Sequence, residues 1–447
     1  MRSKTIHIHP DVADKNFIPV SRRDLVKTII RQSGEGRLNK QYSQLDQSKT
    51  HQLRTLIEIL QTIYHARYHR YYLSLKAAYR PFNPDKNVVT MRTWTSDEKQ
   101  CLQKKLFSEM SALLQKANYE ELDEDQINQA LNDEMTRGLS IGVELDDYQQ
   151  VLIYARGRGL IKAQQRYWQS LFLKKREVDI PIYRRLNMLF RFRNINELEK
   201  LLKKKGLNRF NLWLYLRRHK RLMQDTNSDD YIFLRQFRDI PCTDLEMLFP
   251  NSTLRFTLLD KIKLTATGGA GTVGGIMVFL SKLAIAVKPL TILIAVLGFG
   301  GVLGRQIKNV FYQQKHYRMV LSRSLYTHSL DINVGVISTL LDQALDEDLK
   351  ESMIAYFILL QASDEFLSSF EVKLRAEDFL LTHFRVTINF EVSDALTKLR
   401  KDGLTIKKGN KYQAIKIDSA SENLEEHWFD LYGATQRLGE VLDESYS

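Results

Sequence analysis

The residues whose types could carry chemistry are few and far apart. His65 and His69 stand four apart in YHARYHRYY, a spacing that sets two imidazoles on one helix face, where they could share a metal ion. No Glu follows His65 and no third ligand is in view, so an aromatic-rich packing face is the simpler reading. Glu120, Glu121, Asp123, Glu124 and Asp125 form an acidic run that could attract a cation. Acids at a helix start also suit the helix dipole, which explains such a run without an ion. Gly269-Ala-Gly-Thr-Val-Gly274 is a literal GxGxxG after the strand-like KIKLTAT. A dinucleotide site wants an acid about 20 residues further on. The next acid here is Asp331, and no Gly-Lys-Ser/Thr follows, so neither a dinucleotide site nor a P-loop is supported. Asp239, Asp244 and Glu246 have no His or Cys partner at a fitting spacing. The only cysteines, Cys101 and Cys242, exclude a disulfide scaffold and a Cys-rich zinc module, and fit a reducing compartment. No catalytic, cofactor-binding or metal residue is assigned on this basis.

The elements that would position such groups are organised around Leu264 to Gly304. This tract has no acid and only two charges, Lys282 and Lys288. Its uncharged runs, Leu264 to Ser281 and Pro289 to Gly304, would span about 27 and 24 Å as helices. That is slightly short of a bilayer core of about 30 Å, and the apolar linker Leu283 to Val287 can extend either one. Lys288-Pro289 is the natural turn. Nine of the chain's 21 glycines fall here, at 268, 269, 271, 274, 275, 298, 300, 301 and 304. Gly271/Gly275 and Gly300/Gly304 have the GxxxG spacing that lets membrane helices approach closely. The reading is a two-helix transmembrane hairpin, with homo-oligomer formation through the glycine-rich helices. Lys261, Lys263, Arg305, Lys308, Lys315 and Arg318 flank the tract and would meet anionic headgroups on the inner side.

With 447 residues, a net charge of +13 and 43% hydrophobic residues, the chain has room for two or three domains. The basic surplus suits anionic lipid or nucleic acid. The N-terminus lacks the apolar region of a secretory signal and does not read as a transit peptide. Helices are expected from a Ser21 cap, over Thr50 to Tyr79 with Leu53, Leu56, Ile57, Leu60, Ile63 and Tyr64 on one face, and over Thr95 to Lys116. Tyr119 to Leu131 and Asp146 to Ala155 also read as helical, and Ser140 to Val143 as a strand. Trp168 to Arg176 and Ile180 to Arg193 alternate apolar and basic residues, and the second reads as starting with a strand. Leu198 to Met223 is very basic, with Trp213, Leu214 and Leu216 interleaved. It fits an interfacial helix as well as a solvated one. Thr243 and Glu246 are spaced as a capping box closed by Pro250.

After the hairpin, Val336 to Leu345 and Leu349 to Gln361 read as helices. Val372 to Thr382 (helix), Val386 to Phe390 (strand), Val392 to Lys401 (helix, ended by Gly403) and a hairpin across Lys407 to Lys411 follow in the winged-helix order. The wing carries Lys407, Lys408, Lys411 and Lys416, but the helix that would read bases is mixed in charge, with Asp394, Lys398, Arg400, Lys401 and Asp402. A protein partner for this module is therefore preferred to nucleic acid.

Six blocks carry a resemblance. They are FIPVSRRDL (17–25), LKAAYRPFNPD (75–85), LLQKANYEEL (113–122), VDIPIYRRLNMLFRF (178–192), FRDIPCTDLEMLFPN (237–251) and LLDKIKL (258–264). In this order, ahead of an apolar hairpin, they resemble the transmembrane protein 143 family, which is built on domain of unknown function 3754. The resemblance runs over about residues 17–405, and the basic segment near 194–230 departs from it. It implies a membrane protein, mitochondrial in animals, with no established catalytic residues. It marks Asp239, Pro241, Asp244, Glu246 and Pro250 as a structural motif.

The expected fold is thus a mainly α membrane protein. It would have an irregular start (1–16), a helical soluble domain (17–260), the hairpin (264–304), a basic juxtamembrane helix (305–330), a winged-helix-like α+β module (331–420) and an acidic tail (421–447). The expected role is a non-enzymatic scaffold, tether or regulator in a bacterial inner membrane or an organellar, mitochondrial-type membrane, in contact with anionic lipid headgroups. The alternatives are a membrane-anchored DNA-binding regulator and an enzyme acting on lipid.

Overall fold

In a computed structural model of the chain, residues 17–34, 45–85, 92–123, 125–127, 140–166, 175–226, 230–255, 325–362 and 365–444 are described. In order they form α1 (Arg22–Gly34), α2 (Leu45–Tyr79), α3 (Ser96–Lys116), β1 (Glu120–Glu121), β2 (Ser140–Gly142), β3 (Tyr148–Arg166) and β4 (Lys175–Phe192). Then come α4 (Ile195–Lys204), α5 (Arg209–Thr226), β5 (Ile232–Pro241), β6 (Thr253–Arg255), β7 (Ser329–Ile332) and α6 (Val334–Gln361). The chain closes with β8 (Leu367–Ser368), α7 (Ser369–Phe384), α8 (Val392–Lys401), β9 (Thr405–Lys408), β10 (Lys411–Ala414) and α9 (Ile417–Glu444).

The expectation of a mainly α integral membrane protein is corrected. A five-stranded sheet, in the order β1-β3-β4-β5-β7, is a principal element. Among the described residues no helix is long and apolar enough to cross a membrane. The membrane location expected with that fold is corrected to the same extent: none of the described helices can cross a bilayer. The hairpin residues 264–304, with Gly271, Gly275, Gly300 and Gly304, lie outside the described residues, as do Lys261, Lys263, Arg305, Lys308, Lys315 and Arg318.

The residues group into two compact units. One is built from Glu121–Ile153 and Leu160–Ile332. In it β4 and β5 pair antiparallel, with Leu186 opposite Phe237, Asn187 opposite Gln236 and Phe190 opposite Phe233. β5 also pairs antiparallel with β7. Consecutive residues Leu186 to Phe190 are all buried, so both faces of β4 are covered and the run does not alternate as a half-exposed strand would. One face is aromatic. Tyr148 stacks on Phe192 at 5.1 Å and meets Phe190 and Phe249 edge-on at 5.6 and 5.7 Å. The helix expected over Asp146 to Ala155 is instead a 3-10 turn, Leu145–Asp147, followed by β3. The branched and aromatic run Val-Leu-Ile-Tyr at 151–154 favours the sheet. The acidic run that was expected to open a helix begins as strand β1.

The other unit holds the described residues up to Glu120, Tyr154–Gly159, and those from Asn333 onward. Its axis is α6, which replaces two expected helices with one of 28 residues and is buried on nearly every side. Leu53, Leu56, Ile57, Leu60, Ile63 and Tyr64 of α2 are all buried in the same core. Ser21 accepts from the Asp24 amide at the start of α1, and Thr95 with Glu98 closes a full capping box on α3. Ser368 and Glu371 do the same for α7. Residues 386–390, expected as a strand, are irregular. β8, β10 and β9 form a three-stranded sheet beside α7 and α8.

Gly403 follows α8 with φ +69°, and a Cβ there would meet the Asn423 side chain at 3.2 Å. Asn423 Nδ2 donates to the Gly403 carbonyl at 2.7 Å, so the turn and α9 are held together. Gly403→Ala should destabilise the chain by about 1–3 kcal/mol, from left-handed strain and crowding together. A urea midpoint unchanged from wild type would refute this account of the turn.

Candidate functional site

Among the described residues, α6 carries a run of buried ionisable groups. Glu347, Asp348, Lys350 and Glu351 are all buried in the middle of this helix. An ion removed from water costs several kcal/mol unless it is paired and hydrogen-bonded, so each needs partners from neighbouring elements. Glu347 accepts from the Ile18 amide at 2.9 Å, and Lys350 Nζ donates to the Ile18 carbonyl at 2.7 Å and to Glu347 at 2.8 Å. The pair thereby grips the backbone of Phe17–Val20 as a strand partner would. Asp346, at the rim, takes a second contact from Lys350 at 3.0 Å.

Next to Glu347 in sequence, Asp348 accepts from Tyr68 at 2.6 Å and from Lys398 Nζ at 2.6 Å. Lys398 is also paired with Asp394, one turn before it on α8. Burial alone would lower the Lys398 ammonium, but Asp348 and Asp394 more than offset it and hold its pKa above the usual value. Burial pushes the Tyr68 phenol far up, and Asp348 adds to the effect. Glu351 accepts weakly from Asn118 at 3.5 Å. Burial, reinforced by Asp348 and Glu347 and partly offset by Lys398, pushes its carboxyl up to about 8.

Carboxylate oxygens of Asp348, Glu351 and Asp394 lie within 4.8 Å of one another, a grouping that suits a hard divalent cation. The residues present do not favour one. The Lys398 ammonium already sits on Asp348 and Asp394, and Glu351 holds its proton at neutral pH. A groove of about 460 Å³ runs beside Asn118, Lys373 and Asn389, and none of the three carboxylates lines it. The cluster is thus an internal neutralising network. Arg67 adds a second link, donating to Asp402 and to His427 Nε2 at 2.7 Å.

The sheet unit has its own buried pair. His219 Nδ1 is 3.0 Å from Asp147 and Nε2 is 2.9 Å from the Arg193 carbonyl. Both ring nitrogens are thus turned onto protein oxygens rather than toward an open site. Asn251 donates to Asp147 at 2.8 Å, while Tyr148 donates to Asn251 at 2.7 Å. Burial would raise the Asp147 carboxyl, but the bonds from His219 and Asn251 and the Arg218 charge hold it below the usual range.

The residues singled out in the sequence fall elsewhere. His65 and His69 are exposed on α2, and no third ligand joins them among the described residues. Asp239 sits in β5 with φ +52°, and Pro241 ends that strand. Asp244 and Glu246 lie on a 3-10 helix, Cys242–Leu248, and the side chains of Thr243 and Asp244 lie outside the described residues. Glu246 is buried, and Pro250 leads into Asn251 of the Asp147 network. The segment from Asp239 to Pro250 therefore delivers Asn251 to a buried acid. Cys101 is exposed and Cys242 half-buried, and neither is in a disulfide. The α6 cluster was missed, although a signal exists: DEDLKE at 346–351 interrupts an apolar run that continues on both sides.

Two outcomes test the network. Glu351 keeps a proton in the folded state that the unfolded chain releases near pH 4.5, so stability should fall as pH rises from there to about 8 and then level. Glu351→Gln should flatten that slope in urea midpoints measured across the window; an unchanged slope assigns it to another group. Lys398→Met should cost about 3–5 kcal/mol by stranding Asp348, and adding Asp348→Asn should recover part of that loss. Additive losses in the double variant would show that the two do not act as a pair.

No solved structure matches the chain. A family model described as Protein of unknown function (DUF3754) matches residues 148–335. This stretch runs from β3 to the first residues of α6, so the Asp348 cluster lies beyond it. The match concerns the domain alone and does not confirm the transmembrane protein 143 name. The chain carries the domain of unknown function 3754 over residues 148–335.

Proposed function

We propose that the chain acts as a non-enzymatic scaffold or regulator that works by protein contact through its C-terminal helix–helix–hairpin module. The observation that carries this reading is the orientation of α8. Its Ala395, Leu396 and Leu399 are buried, and its Lys398 is consumed by Asp348 and Asp394. A helix that reads DNA must present its side chains to base edges. The outward residues of α8 include Ser393, Asp394, Thr397, Arg400 and Lys401, a mixed set with no amide side chain. Beside it, α7 exposes Phe370, Leu374 and Leu381 along one stripe. Apolar side chains presented this way suit a protein surface more than phosphates.

The DNA-binding reading keeps one observation in its favour. Lys407, Lys408, Lys411 and Lys416 are all exposed on or beside the hairpin. Titration of labelled duplex DNA with the full-length chain separates the two. Protein contact expects only nonspecific affinity, on the order of 10⁻⁴–10⁻⁶ M at physiological salt, with little sequence preference. Tighter, sequence-dependent binding that is lost on Lys407→Glu with Lys411→Glu would replace the scaffold reading with a DNA-binding one.

A further inference from the structure

We propose that α5 is a docking face for the surface of an anionic lipid bilayer. The helix turns Leu212, His219 and Met223 inward, and Leu212 packs on Leu198 and Leu202 of α4. Its inner face is therefore satisfied. On the other side Phe210, Trp213 and Leu214 are 68%, 53% and 53% exposed. They stand at i, i+3 and i+4, so they form one contiguous patch over the first turns of the helix. The Phe210 and Trp213 rings are 6.3 Å apart, and the Arg217 guanidinium lies 5.1 Å over the Trp213 ring. Arg209, Lys220 and Arg221 are exposed around the patch. From Lys200 to Met223 the sequence has no Asp or Glu.

Charge and shape together select the occupant. An apolar patch with a cationic rim matches the two layers of an anionic bilayer interface: acyl boundary for the ring and leucine carbons, headgroups for the cations. Long arginine and lysine stems let the charge stay at headgroup depth while the apolar residues dip. Single-stranded nucleic acid would also meet cations and aromatics, but it stacks bases on open ring faces. Here Arg217 already covers Trp213, and Leu214 offers nothing to a base. This contact is peripheral, made by one helix of the sheet unit, and does not rest on the α7–α8 module.

The test uses the full-length chain and flotation with vesicles of phosphatidylcholine, with or without phosphatidylglycerol. Binding to the anionic vesicles, release by salt, and a loss of about tenfold or more in Phe210→Ser/Trp213→Ser/Leu214→Ser are expected. Trp213 emission, read with Trp94, Trp168 and Trp428 replaced by Phe, should shift to the blue on the anionic vesicles. Arg209→Glu with Arg217→Glu should weaken binding while leaving far-ultraviolet dichroism unchanged, since both are exposed. No binding to anionic vesicles, or equal binding by the triple-serine chain, would overturn the proposal. Capture of poly-uridine in place of vesicles, lost in the same variant, would overturn it in favour of nucleic acid.

Discussion

A helix buried on nearly all sides cannot carry a charge without obliging its surroundings. α6 carries Asp346, Glu347, Asp348, Lys350 and Glu351 within two turns, and four of these are buried. An unpaired ion in that position would cost several kcal/mol, a large share of the total stability of an ordinary domain. The surrounding elements therefore have to arrive in one register. The backbone at Ile18 must reach Glu347 and Lys350, Tyr68 of α2 must reach Asp348, and Lys398 of α8 must reach it from another side. Apolar packing alone would tolerate small slides of these helices. Hydrogen-bonded charge pairs do not, because their geometry is directional.

The sheet unit follows the same logic with a different pair. Asp147 sits at the end of a 3-10 turn and receives His219 from α5 and Asn251 from the loop after the 3-10 helix Cys242–Leu248. Arg193, at the end of β4, closes the ring by accepting from His219 and donating to the carbonyls of Asp146 and Tyr148. A turn, a helix, a strand end and a loop are thus fixed to one carboxylate. The aromatic face of Tyr148, Phe190, Phe192 and Phe249 supplies the apolar burial around it.

What was legible in the sequence and what was not divides along physical lines. Helix ends written in local chemistry could be read: Ser21 before α1, and Lys401 with Gly403 at the end of α8. The buried face of α2 followed from spacing. β3 was not read as a strand and β4 only at its start, because a run buried on both faces, such as Leu186 to Phe190, loses the alternation that marks a strand. Basic residues spread through both strands blurred the pattern further. The fold class suffered most, since weight placed on the apolar tract at 264–304 left a sheet out of account altogether. The α6 network was hidden for another reason. Its members come from residues 18, 68, 118, 348 and 398, and only the contacts of the folded chain bring them together.

The C-terminal helix has a practical meaning for where this module ends. Residues after 420 read as an acidic tail, something that could be cut away. In the folded chain Ala420 and Leu424 are fully buried, Asn423 holds the turn at Gly403, and His427 accepts from Arg67 of α2. Gln52 of α2 reaches Asp418 at 2.7 Å as well. An isolated fragment stopping at residue 420 would keep the whole hairpin yet lose the strap that fastens it to α2. Any autonomous version of this half of the protein has to begin with the N-terminal helices and run on through α9, because sequence neighbours do not form its folding unit.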